Sequence, residues 1–137
     1  QLYSIGAGGM IVGTVEHADY PLEASAIPRV GNYAGLQLES ILALKPDLVL
    51  FWQSGSPAAE INQLQRLGIR TEGFEAKTLD DIAADLEQLG RLTGQQARAS
   101  QQARAVSSRL AALRQVVILR GITAAIADLQ LWCQQPW

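Results

Sequence analysis

The chain holds one cysteine, Cys133, and one histidine, His17. A single cysteine makes no internal disulfide and no cysteine metal cluster, and a single histidine cannot build a multi-histidine metal site. No apolar run reaches about 18 residues, so no membrane-spanning helix is expected. The opening QLYSIGAGGM has no basic stretch, so no signal peptide is read there. Catalytic signatures are missing too. There is no GxSxG, no phosphate-binding loop and no GxGxxG opening a helix; the GAGG at 6–9 is too short and precedes an apolar stretch. No enzyme, no bound cofactor and no metal site is therefore expected. Internal repeats and low-complexity tracts are absent as well.

What is present suits one globular domain. At 137 residues with 48% hydrophobic side chains, the chain can bury a core; domains near this size bury about 68–70% of their unfolded surface. The net charge of −2 hides an asymmetry. Residues 1–87 carry 12 acids and 5 bases, net −7; residues 88–137 carry 6 arginines and Asp128, net +5. The arginines have no aromatic interleaving and match no nucleic-acid motif, so they read as a solvated helix face.

The most informative stretch runs from Leu38 to Ile69, LESILALKPDLVLFWQSGSPAAEINQLQRLGI. Leu38, Ile41 and Leu42 stand at helical spacing, and Pro46 ends that helix by excluding right-handed helical geometry at Lys45. Leu48 to Trp52 is a continuous apolar run, as in a parallel strand buried on both faces. A polar loop, Gln53 to Ser56, follows. Ser56 and Pro57 read as cap and first turn of a helix with Ile61, Leu64 and Leu67 on one face and Gly68 at its end. The result is an α-β-α unit whose loop lies at the carboxyl end of the strand, the edge where open α/β sheets bind ligands.

Around it, Gln1 to Gly6 reads as a helix end, Met10 to Val15 as a strand, Pro21 to Ala26 as one helical turn and Ile27 to Leu36 as irregular. Ile69 to Phe74 is a third strand. Thr78 to Asp81 resembles a capping box opening a helix with Ile82, Leu86, Leu89 and Leu92 on its apolar face. Asp80 and Asp81 fit a charged helix start better than a metal site. Thr93–Gly94 breaks that helix. Gln95 to Gln115 is a long helix with a narrow seam of Ala99, Ala103, Val106, Leu110 and Leu113. Val116 to Leu119 is compatible with a strand and Ile122 to Trp132 with a helix. The expected class is α/β, a parallel sheet flanked by helices with strands at 10–15, 48–52 and 69–74.

Candidate site residues gather at the carboxyl edge of that sheet: His17 and Tyr20 after the first strand, Tyr33 in the irregular loop, Trp52 at the strand end, and Gln53 to Ser56. Aromatic rings at a cleft edge offer a flat apolar surface with polar tips, which suits a large planar ligand with polar fringes.

GLQLESILALKPDLVLFW with the polar loop and INQLQRLGI, together with IVGTVEHADYPLEASAIPRVGNYAG, resembles the amino-terminal lobe of periplasmic cobalamin-binding proteins. These are helical-hinge substrate-binding proteins of ABC transporters, with siderophore and haem binders as relatives. The resemblance covers about residues 1 to 115 and is most specific through 10–92. It implies two Rossmann-like α/β lobes joined by one long helix, with ligand between them. Residues 1–92 would then be the amino-terminal ligand-binding lobe and 93–115 the connecting helix. The 116–137 tail does not match the family. The implied function is one lobe of the substrate-binding component of an importer for cobalamin or a related corrinoid. The alternatives are a siderophore- or haem-type lobe, or a fragment that no longer holds ligand. The implied ligand residues are His17, Tyr33, Trp52, Gln53 and Ser54, with Trp52 where the family's tryptophan meets the corrin. The implied partner is an ABC-transporter permease, and the implied location is periplasmic. Docking uses an acid in the first turn after the tryptophan strand; Ala58 stands at that position, and Glu60 follows two residues later.

Overall fold

The computed structural model describes the backbone of residues 1–32 and 34–133 and side chains as far as residue 118. A short antiparallel hairpin comes first, β1 (Gly31–Asn32) and β2 (Gly35–Leu36). The central unit follows as α1 (Leu38–Leu44), β3 (Val49–Trp52), α2 (Ala58–Arg66) and β4 (Thr71–Phe74). Two helices close the chain, α3 (Asp81–Thr93) and α4 (Gln96–Cys133). β3 and β4 pair in parallel with Val49 opposite Thr71 and Trp52 opposite Phe74. A parallel pair needs a crossover, and α2 supplies it.

Each face of this small sheet packs on its own apolar cluster. Val49 and Phe51 lie against Ile41, Ile61 and Leu64 of α1 and α2. Leu50 and Phe74 lie against Leu86, Leu89 and Ala99 of α3 and α4, with Ile5 and Ala7 from the chain's start. Successive strand residues point to opposite faces, so the uninterrupted VLF run is what a sheet covered on both sides requires.

The stops read from sequence act where expected. Lys45 turns left-handed (φ 46°), out of the geometry that Pro46 forbids it. At the end of α2, Gly68 takes φ 83°. The Gly68 N–H donates to the Gln65 carbonyl and the Ile69 N–H to the Leu64 carbonyl, which is a Schellman stop that only a residue without Cβ adopts easily. Ser56, however, does not cap α2. Its N–H donates to the Trp52 carbonyl at 2.9 Å, and Pro57 is the N-cap. The loop closes on the strand end before the helix begins, so Ser56 is spent on the turn.

Three other expectations change. Met10 to Val15 is no strand: Gly8–Met10 is a 3-10 turn, and only Thr14 makes an isolated parallel bridge, to Arg29. Residues 27–36, read as irregular, include the β1–β2 hairpin. Val116 to Leu119 is not a strand but part of α4, which runs unbroken through Cys133. Helical propensity there meets no sheet edge to compete with it. At about 1.5 Å per residue, the 38 residues of α4 make a rod about 57 Å long. Ala99 and Ala103 are buried, whereas Leu113 and Val116 to Ile118 are exposed.

The capping box at the head of α3 is real and reciprocal. The Thr78 N–H donates to Asp81 Oδ2 at 2.7 Å, and the Asp81 N–H donates to Thr78 Oγ1 at 3.3 Å. Lys77 N–H adds a second bond to the same carboxylate. The Thr78 backbone bond, then its hydroxyl, holds the Asp81 carboxyl below its ordinary 3.8. A carboxyl depressed on folding stabilises the fold above its unfolded pKa, and the gain disappears as pH falls through the lower folded value. Asp81→Asn is therefore expected to lower Tm at pH 7, with the two melting curves converging well below pH 3.8. Asp80 pairs with Arg114 at 2.7 Å and ties α4 to the same end of α3.

Where α3 meets α4, Gly90 faces Ala99, and a Cβ on Gly90 would collide with the Ala99 methyl. Gly90→Ala gains helix propensity but must force the helices apart. Overpacking of this kind costs about 1–3 kcal/mol, so a lower urea midpoint is expected. An unchanged or raised midpoint would mean that the contact can give.

Candidate functional site

β3 ends with Trp52 at the open edge of the sheet. Trp52 shares the α3/α4 face with Leu50 and lies opposite Phe74 in register. The residue is 62% exposed. At the end of the strand that exposure leaves an apolar ring face, with a polar N–H at its margin, open to a ligand. The ring is oriented by a hydrogen bond, Trp52 Nε1–H donating to Ser54 Oγ at 2.7 Å. Ser54 is thereby brought to the indole, and the tight turn from Trp52 to Ser56 keeps both at the rim.

An open cleft of about 370 Å³ runs from this rim into the sheet. Trp52, Phe51 and Phe74 line it from the strands, and Tyr20, Ala18 and Ile27 from the loop across the gap. Pockets for small molecules run roughly 300–1,000 Å³, so this one is small and open on one side, a wall rather than an enclosure.

The expected site residues divide. Trp52 and Ser54 come together. Gln53 does not join them: its side chain lies over Gly73 beside the Phe51 ring, on the α1/α2 face. His17 is exposed on the bordering loop with φ 67° and does not line the cleft. Its loop neighbour Tyr20, 94% exposed, takes that place. Tyr33 lies outside the described residues. Glu60 is turned inward: the Leu36 N–H donates to its Oε2 at 2.6 Å, beside Gly35. Sequence reasoning overlooked Phe51 and Phe74 as cleft residues, having assigned them to strand cores. Their one signal was position, since each stands within a residue of a strand's carboxyl end. Among the described residues no group of acids, histidine or cysteine is placed to hold a metal ion, and no helix is long and apolar enough to cross a membrane.

With this geometry in view, the chain can be set beside known proteins. The family described as periplasmic binding protein matches residues 1–118. A vitamin B12-binding protein of Vibrio parahaemolyticus is 38% identical over 112 residues, 82% of this chain and 41% of the relative. The solved periplasmic vitamin B12 binding protein of Vibrio cholerae superposes with a TM-score of 0.79 at 35% identity, over 83% of this chain and 45% of its own. A periplasmic heme binding protein from Pseudomonas aeruginosa gives 0.78 at 26% identity, over 90% and 44%. The chain thus spans less than half the length of each of these three proteins.

Proposed function

The chain belongs to the periplasmic binding protein family, and we propose that it is the amino-terminal ligand-binding lobe of a substrate-binding component serving an ABC importer for a corrinoid. The observation that carries this is Trp52, a 62% exposed residue whose indole is held by Ser54 at the carboxyl end of β3. A macrocycle needs a flat apolar face with polar groups at its margin, and Trp52 with Ser54 offers that arrangement. The vitamin B12-binding relatives support the choice of ligand. The corrinoid is cargo, not a cofactor, and the role is binding without catalysis. The place of action is the periplasm and the partner is the importer's permease.

On this reading residues 1–92 form the lobe, 93–115 begin the connecting helix, and α4 carries it on to Cys133. Trp52 and Ser54 meet the ligand directly, with Tyr20 facing them. His17 reaches the ligand only at its margin, and Gln53 serves the opposite face. Glu60 supports the hairpin through Leu36 and is not assigned to docking.

A haem-type chelate is the second reading, favoured by the likeness to the heme binding protein. Parallel visible-absorbance titrations with cyanocobalamin and haemin separate the two. A spectral change with cobalamin alone is expected. Change with haemin alone transfers the site to the second reading, and change with neither leaves the lobe without ligand.

A further inference from the structure

The loop that faces Trp52 across the cleft has little of its own to hold it. Residues 17–20 make no backbone–backbone hydrogen bond among the described residues. Tyr20 is 94% exposed, so packing does not fix it either. Yet Ala18 and Tyr20 both line the cleft. His17 beside them stands at φ 67°, left-handed geometry that a residue with a Cβ keeps only where its surroundings impose it.

One side chain supplies the restraint. An Arg29 Nη1–H donates to the Val15 carbonyl and to the Ala18 carbonyl, each at 3.3 Å, and an Nη2–H donates to Asp19 Oδ1 at 3.0 Å. The three acceptors straddle His17. A guanidinium carries its donors in a rigid planar fork, so one group can hold three acceptors of a bent chain in fixed relation. Arg29 itself stands on a fixed base. The Thr14 N–H donates to the Pro28 carbonyl and the Val30 N–H to the Thr14 carbonyl, which pins the backbone on both sides of it. The ion pair with Asp19 would not suffice alone. The Asp19 side chain is 66% exposed, and exposed pairs contribute little. The shared hold on carboxylate and carbonyls is what shapes the loop.

We propose that Arg29 is a positioning residue for the ligand site: its guanidinium fixes the 15–19 loop so that Ala18 and Tyr20 keep their places along the cleft, facing Trp52. A loop already ordered spares the entropy of ordering it on binding. The inference rests on the corrinoid reading of this cleft.

His17 is the one histidine of the chain, so isotope labelling of histidine in untagged protein gives a single backbone amide signal, between the bonded carbonyls. Its heteronuclear NOE should be that of ordered backbone in the parent and fall toward that of a loose chain end in Arg29→Met. Circular dichroism of Arg29→Met should match the parent, since the bonds to Thr14 use only backbone groups. Cyanocobalamin affinity should fall about tenfold. Arg29→Lys keeps the charge but has one nitrogen in place of the fork, so it should lose part of that affinity. In a Tyr20→Ala background Arg29→Met should cost little more, because the ring it positions is gone; a double-mutant cycle reads this coupling. A His17 amide as rigid in Arg29→Met as in the parent overturns the inference, as does full additivity with Tyr20→Ala. An Arg29→Met chain that no longer folds would make Arg29 a support of the whole fold and overturn it too. A parent without cobalamin affinity overturns the corrinoid reading and the inference with it, whereas parent affinity untouched by Arg29→Met overturns the inference alone.

Discussion

Trp52→Ala is expected to abolish whatever cobalamin binding the chain supports by itself, from a parent affinity no tighter than about micromolar. Ligand sites that enclose their ligand bury about 70–90% of its surface. The cleft here is a single wall. A nanomolar enclosure corresponds to about −12 kcal/mol and a micromolar one to about −8; losing half the contacts moves a site at least that far. On the remaining wall the indole is the broadest apolar face, so its loss leaves a contact of a few small groups. Trp52→Phe keeps a ring but forfeits the bond to Ser54 and should retain part of the binding. Isothermal titration of parent and both variants checks this. Nanomolar binding by the parent would mean that α4 or a second copy supplies an opposing wall. Weak binding indifferent to Trp52→Ala would place the ligand at another edge.

The largest effect on stability is expected at Leu64. It is fully buried where α2 meets β3, in a cluster whose other buried members among the described residues are Ile41 and Ile61. Leu→Ala at such sites costs about 2–5 kcal/mol, the cavity adding to the lost transfer energy. Domains possess about 5–15 kcal/mol in all, so Leu64→Ala should remove a large share and lower the urea midpoint markedly. Leu67, three residues on and 51% exposed, is the control; Leu67→Ala should stay within about 0.5 kcal/mol. Comparable shifts in both variants would show that the α2 cluster does not hold the sheet.

The contrast between these two leucines also separates what was legible from what was not. Both fit one helical period, and periodicity alone put them on the same face. Packing placed Leu64 in the core and left Leu67 at the helix end in water. Likewise, the polar loop after Trp52 was legible as the turn that follows the strand's carboxyl end. It could not show that alternation would divide Gln53 from Trp52 and Ser54, nor that Tyr20 and not His17 would border the cleft.

By itself the sequence determined the local, short-range features. These are the stop at Pro46, the Schellman end at Gly68, the capping box of Thr78 and Asp81, and the helix from Gln96. Each is decided by one residue's backbone geometry or by bonds within about four residues, so the chain needs no distant partner to express it. The tertiary structure alone decided the fate of Met10 to Val15, the continuation of α4 past Gln115 and the inward turn of Glu60. Strand identity depends on a neighbour's backbone groups. Met10 to Val15 meets its neighbour through Thr14, bonded to Pro28 and Val30, while Glu16 bonds out of step to Gly31, so among the described residues the segment registers as a single bridge and not a ladder.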